Sequence, residues 1–221
     1  MSFDLGLKPA KGSAQTFLGA LRHTIRKIPA FSPHEDTFDY DHPDTGVHVQ
    51  LYLEDEKPEV EAELPDSGIT WHFVGALQSN KAKQVPGTFA LVHSLDRWSL
   101  AQALEKAARR KGLVARALIE VNIAGEESKS GVPPEGLRAL AERISHETHL
   151  QVSGLMVFPP WTQTPEASRP CFARARKLAA EMDGWGLPRI SGRELSMGIS
   201  GDFEVAVEEG ATLVRIGTLL F

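Results

Sequence analysis

The chain reads as an α/β protein, a TIM-type (β/α)8 barrel whose first two strands are expected to be incomplete or irregular. From Ile69 onward short apolar runs alternate with amphipathic ones, giving six strand–helix steps in succession. The strand segments are apolar on both faces, as in a parallel sheet covered by helices. Polar residues fall where strands end, which is where ligands bind in such folds. Six steps plus two earlier elements close an eight-stranded barrel. An open doubly wound sheet is the alternative, because alternation does not encode closure.

Met1–Asp66 is the least regular part and is set apart as a divergent N-terminal segment, 1–66, ahead of a barrel region, 67–221. Within it Ala14–Ile28 fits an amphipathic helix with Phe17, Leu18, Leu21 and Ile25 on one side, broken at Pro29. Val47–Leu53 alternates apolar and polar, the pattern of a half-solvated strand. The regular part starts with a strand at Ile69–Val74, a brief helix at Ser79–Gln84 and a strand at Phe89–His93. A helix follows over Arg97–Lys111, with Leu100, Ala103, Leu104 and Ala107 inward; Asp96 is the residue type for its N-cap. Ala115–Ile123 is a long strand, Pro134–His146 a helix, Val152–Phe158 a strand and Pro165–Asp183 a helix. The last unit is a strand over Leu195–Ser200, a turn at Gly201–Asp202, a helix over Phe203–Glu209 and a strand over Leu213–Thr218.

That last unit favours an anion. Ser200 and Asp202 are helix N-cap types, Gly201 permits close backbone approach, and a helix N-terminus attracts negative charge by roughly 0.3–1 kcal/mol. Arg215 is a permanent cation in an apolar strand and needs a partner, either a phosphate or a carboxylate such as Glu209 or Asp202.

Composition narrows the function classes. The chain has 221 residues, 42% hydrophobic and 24% charged, with a formal net charge of −5. No basic face dominates, so a nucleic-acid partner is not expected. Lys106, Arg109, Arg110 and Lys111 close a helix and complement its dipole. The one cysteine, Cys171, lies in a helical pattern and fits a packed thiol in a reducing compartment. No apolar run has the length of a membrane span and the N-terminus lacks a signal-peptide core, so a cytoplasmic protein is expected. No metal site and no catalytic residue is assigned.

The segment Ser196-Met-Gly-Ile-Ser-Gly-Asp202, with Ala206, Gly210, Thr212 and Val214-Arg-Ile-Gly-Thr218, resembles the C-terminal signature of the YggS/PROSC family of pyridoxal phosphate homeostasis proteins. His72-Phe-Val-Gly-Ala-Leu-Gln-Ser-Asn-Lys81 resembles a second motif of that family, and His93-Ser-Leu-Asp96 a third. Glu120-Val-Asn122 with Glu126, Lys129 and Gly131 resembles a fourth, with glutamate where glutamine is common, and Gly154-Leu-Met156 a fifth. The resemblance is strong over Ile69–Phe221. It implies an alanine racemase-like barrel that binds pyridoxal 5'-phosphate (PLP) and serves vitamin B6 and amino-acid homeostasis without an established turnover. It places Ser200, Gly201, Gly217 and Thr218 around the phosphate, with Arg215, Met197 and His72 nearby.

The family's first-strand motif, whose lysine forms the internal aldimine, is not found in Met1–Asp66. Lys27 lies at a comparable distance ahead of His72; it is either that amine or a solvated lysine at a helix end. Two alternatives follow: a degenerate member that binds the cofactor non-covalently or not at all and acts through a protein partner, and a racemase-like enzyme. The expected partner is the small-molecule cofactor, with no membrane, and the expected state a monomer or weak dimer.

Overall fold

The computed structural model describes residues 72–126 and 129–216, together with the backbone of three strands at 4–8, 40–41 and 48–52. The strands are β1 (Asp4–Lys8), β2 (Tyr40–Asp41), β3 (His48–Tyr52), β4 (His72–Phe73), β5 (Leu91–Leu95), β6 (Arg116–Val121), β7 (Gln151–Val157), β8 (Ile190–Ser196) and β9 (Val214–Ile216). Among the described residues the helices are α1 (Trp98–Arg110), α2 (Pro134–Glu147), α3 (Arg169–Asp183) and α4 (Phe203–Glu208). Short 3-10 turns occupy Ala82–Gln84 and Pro165–Ser168.

The strands form one sheet in the order β8-β7-β6-β5-β4-β3-β1-β9, with β2 on β3. Every pair from β3–β4 to β7–β8 is parallel. The ring closes between its two ends. Met197 N–H donates to Leu213 O at 3.0 Å and Arg215 N–H to Gly198 O at 2.9 Å, beside a parallel bridge of Ser196 with Leu213. The fold is therefore a TIM-type barrel, and the open-sheet alternative is set aside. Its irregularity lies in β1, which is antiparallel to both β3 and β9. Tyr52 pairs with His72, so β3 runs upward with the regular strands; Leu5 sits opposite Ile216 and Leu7 opposite Val214, so β1 runs downward.

Two cores follow from strand periodicity. Side chains alternate across a strand, so Leu91 and His93 face one way and Val92 the other. The outward set, including Val92, Ala117, Ile119 and Val152, joins the inner faces of α1 to α3. Those faces carry Leu100 and Leu104, Leu137 and Ile144, and Phe172, Ala175 and Ala179, all at helical spacing. A smaller cluster inside the ring takes Val74, Leu91, Leu118, Met156 and Leu213, a layer drawn from separate strands and their ends. Two residues up the same strands stand His93, Glu120 and Arg215, so a polar layer sits on the apolar one.

Three sequence expectations shift. The strand expected at Leu195–Ser200 is β8, ending at Ser196, and 197–202 is a turn. Arg193 and Glu194 hid its start, because this strand is only partly covered: Arg193 is exposed and Glu194, half-buried, accepts from Thr212 Oγ1 at 2.6 Å. Asp96 does not cap α1; the N-cap position is Arg97, without a side-chain bond, and Arg97 Nη1 holds Asp96 Oδ1 at 2.6 Å. Asp202 is the N-cap of α4 but points backward, accepting from Ile199 N–H at 2.8 Å and Ser168 Oγ at 2.9 Å. The helix expected at Ala14–Ile28 lies outside the described residues.

Gly154 fixes the β7–β8 approach. A Cβ there would stand 1.8 Å from Glu194 O, a backbone atom that cannot swing aside. Gly154→Ala is expected to destabilise the protein by about 1–3 kcal/mol, lowering the thermal midpoint by about 2–4 °C per kcal/mol. An unchanged midpoint would contradict this packing.

Candidate functional site

The upper ends of the strands enclose a cavity of about 620 Å³, a size typical of small-molecule sites. Its wall comes from Gly75 and Ala76 after β4, Glu120 and Asn122 at the end of β6, Met156 on β7 and Phe158 just after it, and Ile199, Gly201 and Asp202 after β8. The β7 loop completes the rim with Pro159, Pro160 and Trp161, the last 85% exposed. Lys129 reaches the rim from the β6 loop, donating to Glu126 Oε1 at 3.0 Å and Pro159 O at 2.9 Å, so it ties the two loops together. Asn122 shapes its own loop: Nδ2 donates to Glu126 O at 2.8 Å and Oδ1 accepts from Gly125 N–H at 3.0 Å.

Below the cavity runs a buried polar chain. His72 Nδ1 and His93 Nε2 are 2.9 Å apart, and His93 Nδ1 lies 2.9 Å from Ser196 Oγ. Arg215 Nη1 donates to Ser196 Oγ at 2.7 Å and Nη2 to Val157 O at 3.0 Å. The Arg215 guanidinium also stacks 4.1 Å from the ring centre of Phe158. Arg215 has no exposed surface. It is not among the residues that line the cavity, but it stacks on Phe158, which is. Burial, then His72 and Arg215, push the pKa of His93 well below the usual histidine range, so it is neutral near pH 7. A neutral ring donates through one nitrogen and accepts through the other, so the chain can run in one direction or the other only as a whole.

Glu120 is the carboxylate of the wall. It is 7% exposed, and among the described residues none donates a hydrogen bond to its carboxylate or pairs with it. Burial, then Asp96, raise its pKa to about 7, and Arg215 works in the opposite sense.

The turn after β8 presents backbone to the cavity. Gly201 lines it, and a Cβ at that position would meet no described residue within 4 Å. Its φ is not in the left-handed region. Neither conformation nor packing demands glycine there, and its lack of a side chain leaves the cavity and the peptide open to a ligand. Gly198 differs: with φ 90° and a Cβ that would stand 2.5 Å from Ala206, it is structural. The turn is held from behind by Asp202 and Ser168. Behind that, Arg169 bonds Glu166, Glu208 and Glu209.

Of the residues singled out in the sequence, Gly201 lines the cavity and Ser200 precedes it in the turn. Met197 is fully buried beneath, and His72 and Arg215 belong to the polar chain below. Lys27, Gly217 and Thr218 lie outside the described residues. Sequence reasoning missed Phe158 and Trp161, although aromatic residues flanking Pro159–Pro160 at a strand end were a usable signal. Cys171 is a packed thiol, its pKa raised to about 11 chiefly by burial. No group of three or more metal-ligating side chains occurs among the described residues, and none of their helices is long and apolar enough to cross a membrane.

Residues 56–221 match the model of the alanine racemase N-terminal domain. The pyridoxal phosphate homeostasis protein of Aquifex aeolicus is 48% identical over 161 residues, covering 72% of this chain and 68% of that one. The chain belongs to the YggS/PROSC family of pyridoxal phosphate homeostasis proteins. PipY of Synechococcus elongatus has been solved without and with PLP bound. The PLP-free form is 40% identical with a TM-score of 0.68, and the PLP-bound form 39% with 0.66. Each alignment covers 74% of this chain and 76% of PipY. Against the YggS/PROSC signature, Ser196 and Arg215 supply the chain beneath the cavity, Gly201 its open turn and Gly198 the packing between them.

The raised pKa of Glu120 has a stability consequence. The folded value of about 7 lies above the unfolded one, so the ionised carboxylate opposes folding fully above pH 7 and not at all below about pH 4.5. Glu120→Gln is expected to be more stable than the parent at pH 8 in urea unfolding, with the gain shrinking as pH falls from 7 towards 4.5. Equal stability at pH 8 would show that the carboxylate is not desolvated.

Proposed function

We propose that this chain binds PLP in the cavity at the top of the barrel and acts in vitamin B6 homeostasis as a cofactor-binding protein without turnover of its own. The observation that carries this is the Gly201 turn: a glycine that neither conformation nor packing requires, opening on a cavity. Support comes from a chain 48% identical to a protein named for PLP homeostasis and a neighbour solved with PLP.

The donor set fits a phosphorylated aromatic ligand. Backbone N–H groups of the Ser200–Gly201 turn, with Gly217 and Thr218, which follow β9 in sequence, are assigned to the phosphate. Met156 and Phe158 give the ring an apolar wall. Arg215 contributes a fixed positive potential from below, and His72 and Met197 hold the floor in place. When bound, PLP supplies an aldehyde that condenses with primary amines, and Lys27 is assigned as the amine. The chain's own part is to orient the ligand, exclude water from one face and keep a cation under it. The compartment assigned is the cytoplasm, and the oligomeric state a monomer or weak dimer.

Purified protein dialysed with PLP is expected to retain it and to absorb above the aromatic band. Gly201→Leu is expected to weaken retention by about tenfold or more, since the new side chain occupies ligand space. Its thermal midpoint should be unchanged, because no described residue lies within 4 Å of the new Cβ. A parent protein that retains no PLP would overturn the function; a Gly201→Leu variant that binds normally would overturn the placement.

A further inference from the structure

Glu120 has no task in the binding scheme above. It stands in the inward layer of β6, more than nine-tenths buried, and lines the cavity. Among the described residues the charged groups around it are few. On β5's side Asp96 is held by Arg97, and His93 is neutral at pH 7. On β7's side its register partner is Met156. From β9 comes Arg215, whose Nη atoms already serve Ser196 and Val157. From its own following loop comes Lys129, which holds Glu126 and Pro159. A buried carboxylate with no donor among the described residues is costly to keep ionised, and a ligand cation would offset that cost.

We propose that Glu120 selects the ammonium-bearing form of the ligand. The cavity takes a pyridine phosphate monoester with a primary ammonium group, pyridoxamine 5'-phosphate, whose ammonium pairs with the Glu120 carboxylate while its phosphate meets the Gly201 turn. The proposal rests on the reading of this cavity as the site for PLP and deepens it. The spacing agrees: β6 and β8 flank β7, so Glu120 and the turn after β8 are two strand spacings apart, about 10 Å. The aminomethyl and phosphomethyl arms leave neighbouring ring carbons, and with a hydrogen bond at the tip of each arm they bridge such a separation. An aldehyde offers only an acceptor where Glu120 needs a donor, and an alcohol offers a neutral donor, a weaker partner than an ammonium. A glutamine here would lack the charge to make this distinction.

Titration calorimetry with pyridoxamine, pyridoxine and pyridoxal 5'-phosphates, on the parent and on Glu120→Gln at pH 8 and pH 6, tests this. The parent is expected to bind the amine about tenfold or more tighter than the alcohol at pH 8. That preference should shrink at pH 6, where the carboxyl of the free protein holds a proton that the ammonium must displace. Glu120→Gln should lose the preference and its pH dependence while still binding the alcohol. The ligand phosphate also titrates near pH 6, but it does so equally in both proteins, so their difference isolates Glu120. A Glu120→Gln variant that keeps the preference, or that loses all three ligands alike, overturns the proposal. PLP binding by the parent with no preference for the amine overturns this proposal alone. Failure of all three to bind the parent overturns the cofactor reading with it.

Discussion

Arg215 carries a permanent charge with no exposed surface, and a buried cation is tolerable only where dipoles, lone pairs and ring faces replace its water. Here they are Ser196 Oγ, Val157 O and the face of Phe158. Each comes from a different place on the ring: Ser196 ends β8, Val157 ends β7, and Phe158 starts the rim loop. The cation therefore requires three neighbouring strands to keep register where the barrel closes. Its backbone N–H, bonded to Gly198 O, is part of that closure.

The site inherits its rigidity from this arrangement. Phe158 is held as a cavity wall because it covers the guanidinium. Ser196 is shared with His93, which hands the constraint on to His72 at the start of the ring's regular strands. Glu120 feels the same charge from across the barrel. The turn bearing Gly201 is tied to the backbone of Arg215 through Gly198 O and has a second anchor through Asp202 to Ser168 at the start of α3. A stiff floor and a doubly anchored turn enclose the cavity, and the rim loop holds its Trp161 side chain out in solvent.

The sequence made the regular part of this fold legible because β5 to β7 and α1 to α3 each carry a strong period, two or nearly four residues, with one buried set. β8 was misplaced because Gly192, Arg193 and Glu194 break its apolar pattern. β1 was not legible at all. It is a five-residue strand whose pairing with β3 and β9 depends on contacts more than forty and two hundred residues away, which no local pattern records. For the site, Ala76, Asn122, Met156 and Gly201, which belong to separate sequence motifs, line one cavity at the strand ends. What sequence could not say was which way Arg215 faces: an arginine in an apolar strand needs partners, and the hydroxyl, carbonyl and ring that serve it come from elements about twenty and sixty residues upstream.

The most direct test of the account is a crystal structure of the protein grown with PLP. The account requires ligand density in the cavity between Glu120, Phe158 and Gly201, with the phosphate against the Ser200–Gly201 turn and Arg215 still bonded to Ser196 beneath it. Density elsewhere on the molecule, or a cavity left filled by solvent at saturating PLP, would contradict it.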